Sequence, residues 1–166
     1  RDELEGEVLA AGLEVLVHGA GAAQVPRDER HLVVRAMRVG FEALGAQPPG
    51  LRLTCHNVVP HARGLGSSSA AIVGGLALAR ALVPGGAERL DDQALVALAT
   101  RMEGHPDNVA PAALGGFVIS GTDDDGQAYA VPSAVAPGLE TVVLVPAEPV
   151  STELARGLLP ATVPHA

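Results

Sequence analysis

The run HARGLGSSSAAIVGGLALARAL, residues 61–82, limits what this chain can fold into more than any other stretch. Two glycines and three consecutive serines stand directly before a series of small apolar residues. Serine is a poor helix interior, because its hydroxyl competes for nearby backbone hydrogen bonds. The pattern makes sense if a helix begins at the serines, turns its first turn towards something polar and buries the alanine-rich remainder. A helix N-terminus leaves unpaired N–H groups and carries a partial positive charge. Gly64 and Gly66 let backbone approach an anion closely. The hydroxyls of Ser67, Ser68 and Ser69 can bond phosphate oxygens or reach a metal ion. Together these features form a phosphate cradle that needs no lysine.

Three rivals share the pattern. A dinucleotide fingerprint requires a tight strand-to-helix turn, but Pro60–Arg63 intervene and Ser69 stands where the third glycine belongs. A serine-hydrolase elbow requires G-x-S-x-G, whereas Gly66–Ala70 read G-x-S-x-A, and no histidine is evidently paired with Ser68. A capped, buried alanine-rich helix needs no ligand at all. Glycine and serine by themselves leave the cradle and this last reading equally open.

Composition removes several function classes. The 166 residues suit one domain, or one domain and part of another, and with 48% hydrophobic and 18% charged residues they can build a core. Two Phe, one Tyr and no Trp make that core aliphatic and provide no stacking platform for single-stranded nucleic acid. The net charge is −8, all 11 basic residues are arginine, and no basic cluster stands out against a phosphate backbone. Lacking lysine, the chain cannot use a Walker-type phosphate lysine, a Schiff base or a Ser-Lys dyad. The single Cys55 lies in an apolar-rich run as a small buried thiol, and a reducing cytoplasm is expected. No signal peptide is legible in RDELEGE, and the longest apolar window, Ala70–Ala79, is about half a membrane span. A chain that starts with Arg1 and stops at TVPHA reads as a fragment.

Periodicity predicts a strand over 13–21, a helix over 27–44 ended by Gly45, and a half-buried strand over 51–59. The serine-led helix runs to about Val83 and is broken by PGG (84–86). Asp91 is a plausible N-cap for a helix over 92–103, whereas 104–116 is too punctuated for one regular element. Residues 117–120, 127–132 and 139–146 read as strands of an antiparallel meander, with TDDDG (122–126) as a solvated turn. A last helix over 151–159 is capped by Ser151 or Thr152. Mixed strands and helices in this order suggest α+β rather than regular βαβ repetition.

Two long stretches, NVVPHARGLGSSSAAIVGG and RMEGHPDNVAPAALGGFVIS, together closely resemble homoserine kinases of the GHMP small-molecule kinase superfamily. The first matches the superfamily's glycine-serine ATP loop, and the second contains an E-G-H-P-D-N-V-A-P run like that of the homoserine kinases. PVSTELARGLLPATVPHA (149–166) is similar to a downstream family segment, so the resemblance covers nearly the whole chain. The family's N-terminal P-x-x-x-A-N-L-G-x-G-x-D-like motif and its C-terminal glycine-rich motif are absent. The resemblance implies an α+β fold: a ribosomal protein S5 domain 2-like N-terminal domain over 1–135 and, over 136–166, the start of a ferredoxin-like C-terminal domain.

It also implies roles. ATP would lie with its phosphates on the loop Pro60, His61, Ala62, Arg63, Gly64, Leu65, Gly66, Ser67, Ser68, Ser69 and Ala70. Mg²⁺ would meet Ser68, with Ser67 and Ser69 able to exchange roles with it, and the carboxylate of Glu103. His105, Asp107 and Asn108 would face L-homoserine. Asp107 and Asn108 would orient its hydroxyl, with a true general base left open. Thr152 would lie near the transferred phosphate, and Arg156, one helical turn on, would clamp the amino-acid carboxylate. Each has a plainer reading: a solvated helix-end Glu, a surface His, an Asx-turn, an N-cap. The other histidines lack metal-ligand spacing. The expected activity is ATP-dependent phosphorylation of homoserine by the full-length protein, in the cytoplasm, without nucleic-acid or membrane partners and with a homodimer left open. The fragment alone is expected to be inactive. The alternatives are a GHMP kinase for mevalonate, galactose or shikimate, and a non-catalytic nucleotide-binding relative, which would lack a metal carboxylate.

Overall fold

In the computed structural model the described residues are 1–145 together with 157, 160 and 162. Its elements are β1 (Glu3–Leu9), β2 (Gly12–Gly19), α1 (Leu32–Ala43), β3 (Gly50–Asn57), α2 (Ser67–Leu82), α3 (Gly86–Arg89), α4 (Asp92–Glu103), α5 (Val109–Leu114), β4 (Phe117–Thr122) and β5 (Ala128–Ser133). The first three strands form a sheet in the order β1-β3-β2. There β3 runs antiparallel to β1 and parallel to β2, and α1 makes the crossover. The mixed α/β architecture agrees with the expected fold.

Alternation along the strands sorts the two faces of this sheet. Val15, Val17, Leu51, Leu53 and Cys55 face inward and pack against Val33, Val34, Met37 and Phe41 of α1. The opposite face carries Glu3, Glu5, Glu7, Glu14 and Arg52. A second core joins α1 to α2, α4 and α5 through Ala36, Ile72, Leu76, Leu95, Leu98 and Val109. Backbone approaches closely where α1 crosses α2. A Cβ on Gly75 would stand 2.5 Å from the Val33 carbonyl oxygen and 2.7 Å from the Ala36 Cβ. Only glycine fits there, and the closeness sets the start of α1 against the middle of α2.

Several expectations change. β1 is an element the sequence reading does not assign: its alternate residues are glutamates, so the charge conceals the period-two pattern. The helix expected from residue 27 begins at Leu32, because Asp28 holds the Arg30 amide and guanidinium in a local turn. Within 104–116 the chain does form a helix, α5, with Pro111 in the first turn where its missing N–H costs nothing. Gly115 ends that helix at φ 73°. Residues 139–145 form no strand, and Val142 and Leu144 are 87% and 89% exposed. Their strand propensity finds no pairing partner among the described residues. β4 and β5 do form the expected antiparallel pair. Their turn is closed by the Asp123 carboxylate, which accepts from the Asp125 and Gln127 amides. Of the helix expected over 151–159 only Gly157 is described, and it is helical; Thr152 and Arg156 lie outside the described residues. No helix among those described is long and apolar enough to cross a membrane.

Candidate active site

The loop from Pro60 to Gly66 joins β3 to α2, and Ser67–Ala70 form the first turn of α2. Its backbone turns repeatedly through the left-handed region, at Ala62 (φ 55°), Gly64 (φ 70°) and Gly66 (φ 70°). Gly66 is the N-cap, with no side-chain cap and no acidic residue in the first turn. The first intrahelical bond is from the Ala70 amide to the Gly66 carbonyl, at 2.9 Å. The amides of Ser67, Ser68 and Ser69 therefore precede the ladder and are open to an anion. A non-glycine residue at φ 55° is held strain of the sort that clusters at functional loops.

α4 brings the second motif to the same turn. Its N-cap is Asp91, as expected, with the carboxylate accepting from the Ala94 amide at 2.8 Å. Its last residue is Glu103, after which Gly104 (φ 94°) turns the chain away. The hydroxyls of Ser68 and Ser69 both donate to Oε1 of Glu103, at 2.6 and 3.0 Å. Ser69 is fully buried, whereas Ser68 is exposed. A carboxylate at a helix C-terminus opposes the helix dipole, so stability alone does not favour Glu103 there. Its exposed serine hydroxyl and carboxylate form a hard-oxygen pair beside an anion-binding turn. Mg²⁺ typically takes one or two such protein oxygens and completes its shell with phosphates and water. The pair fits that requirement, although among the described residues no three His, Cys, Asp or Glu side chains could hold a metal by themselves.

The segment between α4 and α5 carries the other candidates. Oδ1 of Asp107 is hydrogen-bonded to Nδ1 of His105 and accepts from the Asn108 amide at 2.9 Å. His105 and Asp107 are thus held as a unit. A Cβ placed on Gly66 would stand 3.8 Å from Oδ1 of Asn108, so the end of this segment lies against the serine loop. Residues about 40 positions apart, Gly66 and Asn108, meet because α4 packs along α2.

A cavity of about 250 Å³ opens beside the first turn of α2. His31 and Leu32 at the start of α1 line one side, Ser67, Ser68 and Ala71 the other, and His61 also borders it. His31 is only 5% exposed, and neither its Nδ1 nor Nε2 of His61 has a hydrogen-bond partner among the described residues. Burial, and secondarily the neighbouring His61, holds the His31 imidazole below the usual histidine range. The ring of His61 fits only because residue 21 is glycine: a Cβ there would lie 2.1 Å from His61 Cδ2. Sequence reasoning includes His61 as part of the loop but misses His31. Nothing in local spacing could have found it, since the α1–α2 crossing brings it to the site.

Comparison with known proteins gives the family. Residues 31–116 match the GHMP kinases N terminal domain, which spans the start of α1, the serine loop and the Glu103–Asn108 segment. The chain is 51% identical over 164 residues to a homoserine kinase of Streptomyces coelicolor, covering 99% of this chain and 53% of the relative. It is 47% identical over 171 residues to a homoserine kinase of Mycolicibacterium smegmatis, covering 99% and 54%. A homoserine kinase structure from Cytophaga hutchinsonii superposes with a TM-score of 0.71 at 24% identity, over 98% of this chain and 52% of that one, which shows a shared fold. The chain spans about half the length of the curated relatives it matches. On the family match and the architecture together, the chain belongs to the GHMP kinases and carries their N-terminal domain.

Proposed function

We propose that the full-length protein is a homoserine kinase, which transfers the γ-phosphoryl group of ATP to the side-chain hydroxyl of L-homoserine and yields O-phospho-L-homoserine and ADP, a step towards threonine. The observation that carries the reading is the convergence of Ser68 and Ser69 on Glu103 at an uncapped helix N-terminus. It joins the two motifs that the family resemblance singled out. The substrate assignment rests on the homoserine kinases that match nearly the whole chain and on the EGHPDN run. On this reading residues 1–135 are the N-terminal domain, and 136–166 begin the C-terminal one.

Phosphoryl transfer needs positioning and charge neutralisation more than covalent help from the protein. The amides of Gly64–Ser69 would hold the ATP phosphates, and the cavity between α1 and α2 would receive the nucleoside. Ser68 and Glu103 would hold Mg²⁺, which when bound offsets the charge of the phosphates. Asp107 and Asn108 would orient the acceptor hydroxyl. Its oxygen forms the new bond to γ-phosphorus, the bond to the ADP oxygen breaks, and the hydroxyl proton leaves to Asp107 or to water. His105 would help hold Asp107 and face the substrate. By resemblance, Thr152 would lie beside the transferred group and Arg156 would clamp the α-carboxylate. The setting is the cytoplasm.

The test is ADP release by the full-length protein with homoserine, mevalonate and shikimate in parallel. Turnover confined to homoserine is expected, and a preference for either other acceptor would overturn the assignment. Arg156→Ala should then raise the homoserine KM by about 10–100-fold while the ATP KM barely moves, because a charge-assisted bidentate bond is typically worth ~1.5–3 kcal/mol. A rise in the ATP KM instead would make Arg156 a phosphate residue.

A further inference from the structure

The cavity between α1 and α2 is bordered by a polar group that the fold leaves unsatisfied. His31, one of its lining residues, is 5% exposed, and its Nδ1 has no hydrogen-bond partner among the described residues. A buried polar atom left unpaired is disfavoured, so in a native fold it points to a group that completes it. The charged side chains that border the cavity do not complete it, because both are engaged elsewhere. Asp2 accepts from the Val58 and Val59 amides at 2.6 and 2.8 Å, and Arg30 is held by Asp28 at 2.8 Å. The Nε2 of His61 is packed against Gly21, 2.5 Å from where a Cβ on that glycine would stand. The remaining walls are mostly apolar, with Leu4, Val25, Leu32 and Val33 among them.

We propose that the imidazole of His31 recognises the base of the bound nucleotide, holding it in this cavity by a hydrogen bond. The proposal rests on the kinase reading above. An apolar enclosure with one unsatisfied neutral nitrogen suits an uncharged heterocycle, whereas a phosphate or carboxylate would be buried there without a cation. Size points the same way. About 250 Å³ is less than the ~300–1,000 Å³ of a site that takes a whole drug-sized ligand, and it leaves room for a base while ribose and phosphates lie outside. Ser67 and Ser68 border the same cavity, so a nucleotide with its base seated there can set its phosphates on the serine turn. Burial, with His61 beside it, favours the uncharged His31 ring. A neutral imidazole has one N–H donor and one acceptor nitrogen, either of which can meet the edge of a base.

The test is calorimetric titration of the full-length protein with ADP and Mg²⁺, alongside the ring nitrogen resonances of His31. His31→Leu, which keeps bulk and removes the hydrogen bond, should raise the Kd for ADP about 10-fold. The ATP KM should rise in parallel, while kcat at saturating ATP stays within about twofold. His31→Gln, which has both a donor and an acceptor, should recover most of the affinity. In the unaltered protein ADP should shift the His31 resonances, a readout that does not depend on any variant folding. ADP binding that leaves those resonances unmoved would overturn the proposal, as would equal ADP affinity in His31→Leu. A lowered kcat with unchanged ADP affinity would make His31 a structural residue and overturn it too. If the unaltered protein bound no ADP at all, the kinase reading itself would fail, and this proposal with it.

Discussion

Glu103 shows at the scale of one residue how the proposed function and stability pull apart. Its charge opposes the α4 dipole, yet its Oε1 is the shared acceptor for Ser68 and Ser69. Glutamine keeps an oxygen that can accept both bonds and removes only the charge. If the full-length protein is the proposed kinase, Glu103→Gln should lower its kcat by ~10²-fold or more and raise the Mg²⁺ requirement, with stability unchanged or slightly increased. Ser68→Ala should act in the same direction. Near-normal turnover of the Glu103 variant at limiting Mg²⁺ would remove the metal role. His31 makes a different kind of prediction. Its folded-state pKa lies below 6.5, chiefly through burial, so on acidification the unfolded chain takes up this proton before the folded one. The His31 contribution is therefore constant above pH 6.5 and is lost progressively as pH falls below it, towards the folded pKa. Urea midpoints at pH 7.5 and 5.5 should differ less in His31→Gln than in the unaltered protein. Identical differences would mean that His31 is not buried in its neutral form.

At the scale of elements, the tightest packing is the α1–α2 crossing at Gly75, and it can be tested directly. Gly75→Ala would force a methyl to within 2.5 Å of the Val33 carbonyl and 2.7 Å of the Ala36 Cβ. Overpacking of this kind costs about 1–3 kcal/mol, more than the better helix propensity of alanine returns. A lowered urea midpoint with an unchanged m-value is expected, and a raised midpoint would show that the helices can part freely. The elements most legible in the sequence are those whose signals are local. α4 announces itself through Asp91 and Gly104, and α2 through its serines. β1 was hidden because three glutamates cover its outward positions, and α5 because Pro111 and Gly115 look like breakers although they sit where a short helix tolerates them. Residues 139–145 show the converse: apolar composition gives strand preference, but a strand exists only by pairing. Of the candidate site residues, Ser68 and Glu103 could be picked out because each lies in a recognisable motif, and the structure brings the two together. The cavity beside His31 was not, because a helix crossing creates it and no spacing encodes that.

At the scale of the whole molecule, one face of the β4–β5 pair stands uncovered. Register puts Phe117, Ile119, Tyr129 and Val131 on the same side, and all four are exposed. An isolated two-stranded sheet is marginal in water, and a contiguous apolar face of this kind normally meets a partner. Because the chain spans about half of its curated relatives, the rest of the full-length protein is the natural cover. Two outcomes are expected when residues 1–166 are produced alone. The piece should bind an apolar-surface dye such as ANS more strongly, per mole, than the full-length protein does. It should also lack homoserine-dependent ATP consumption: the loop and Glu103 would be present, but the groups that the family contributes from its N-terminal and C-terminal motifs would not. Saturable turnover by the piece would show that the serine loop, the Glu103 pair and the His105–Asn108 segment suffice for catalysis. Equal dye binding by both forms would show that the exposed face of β4 and β5 remains a surface in the full-length protein.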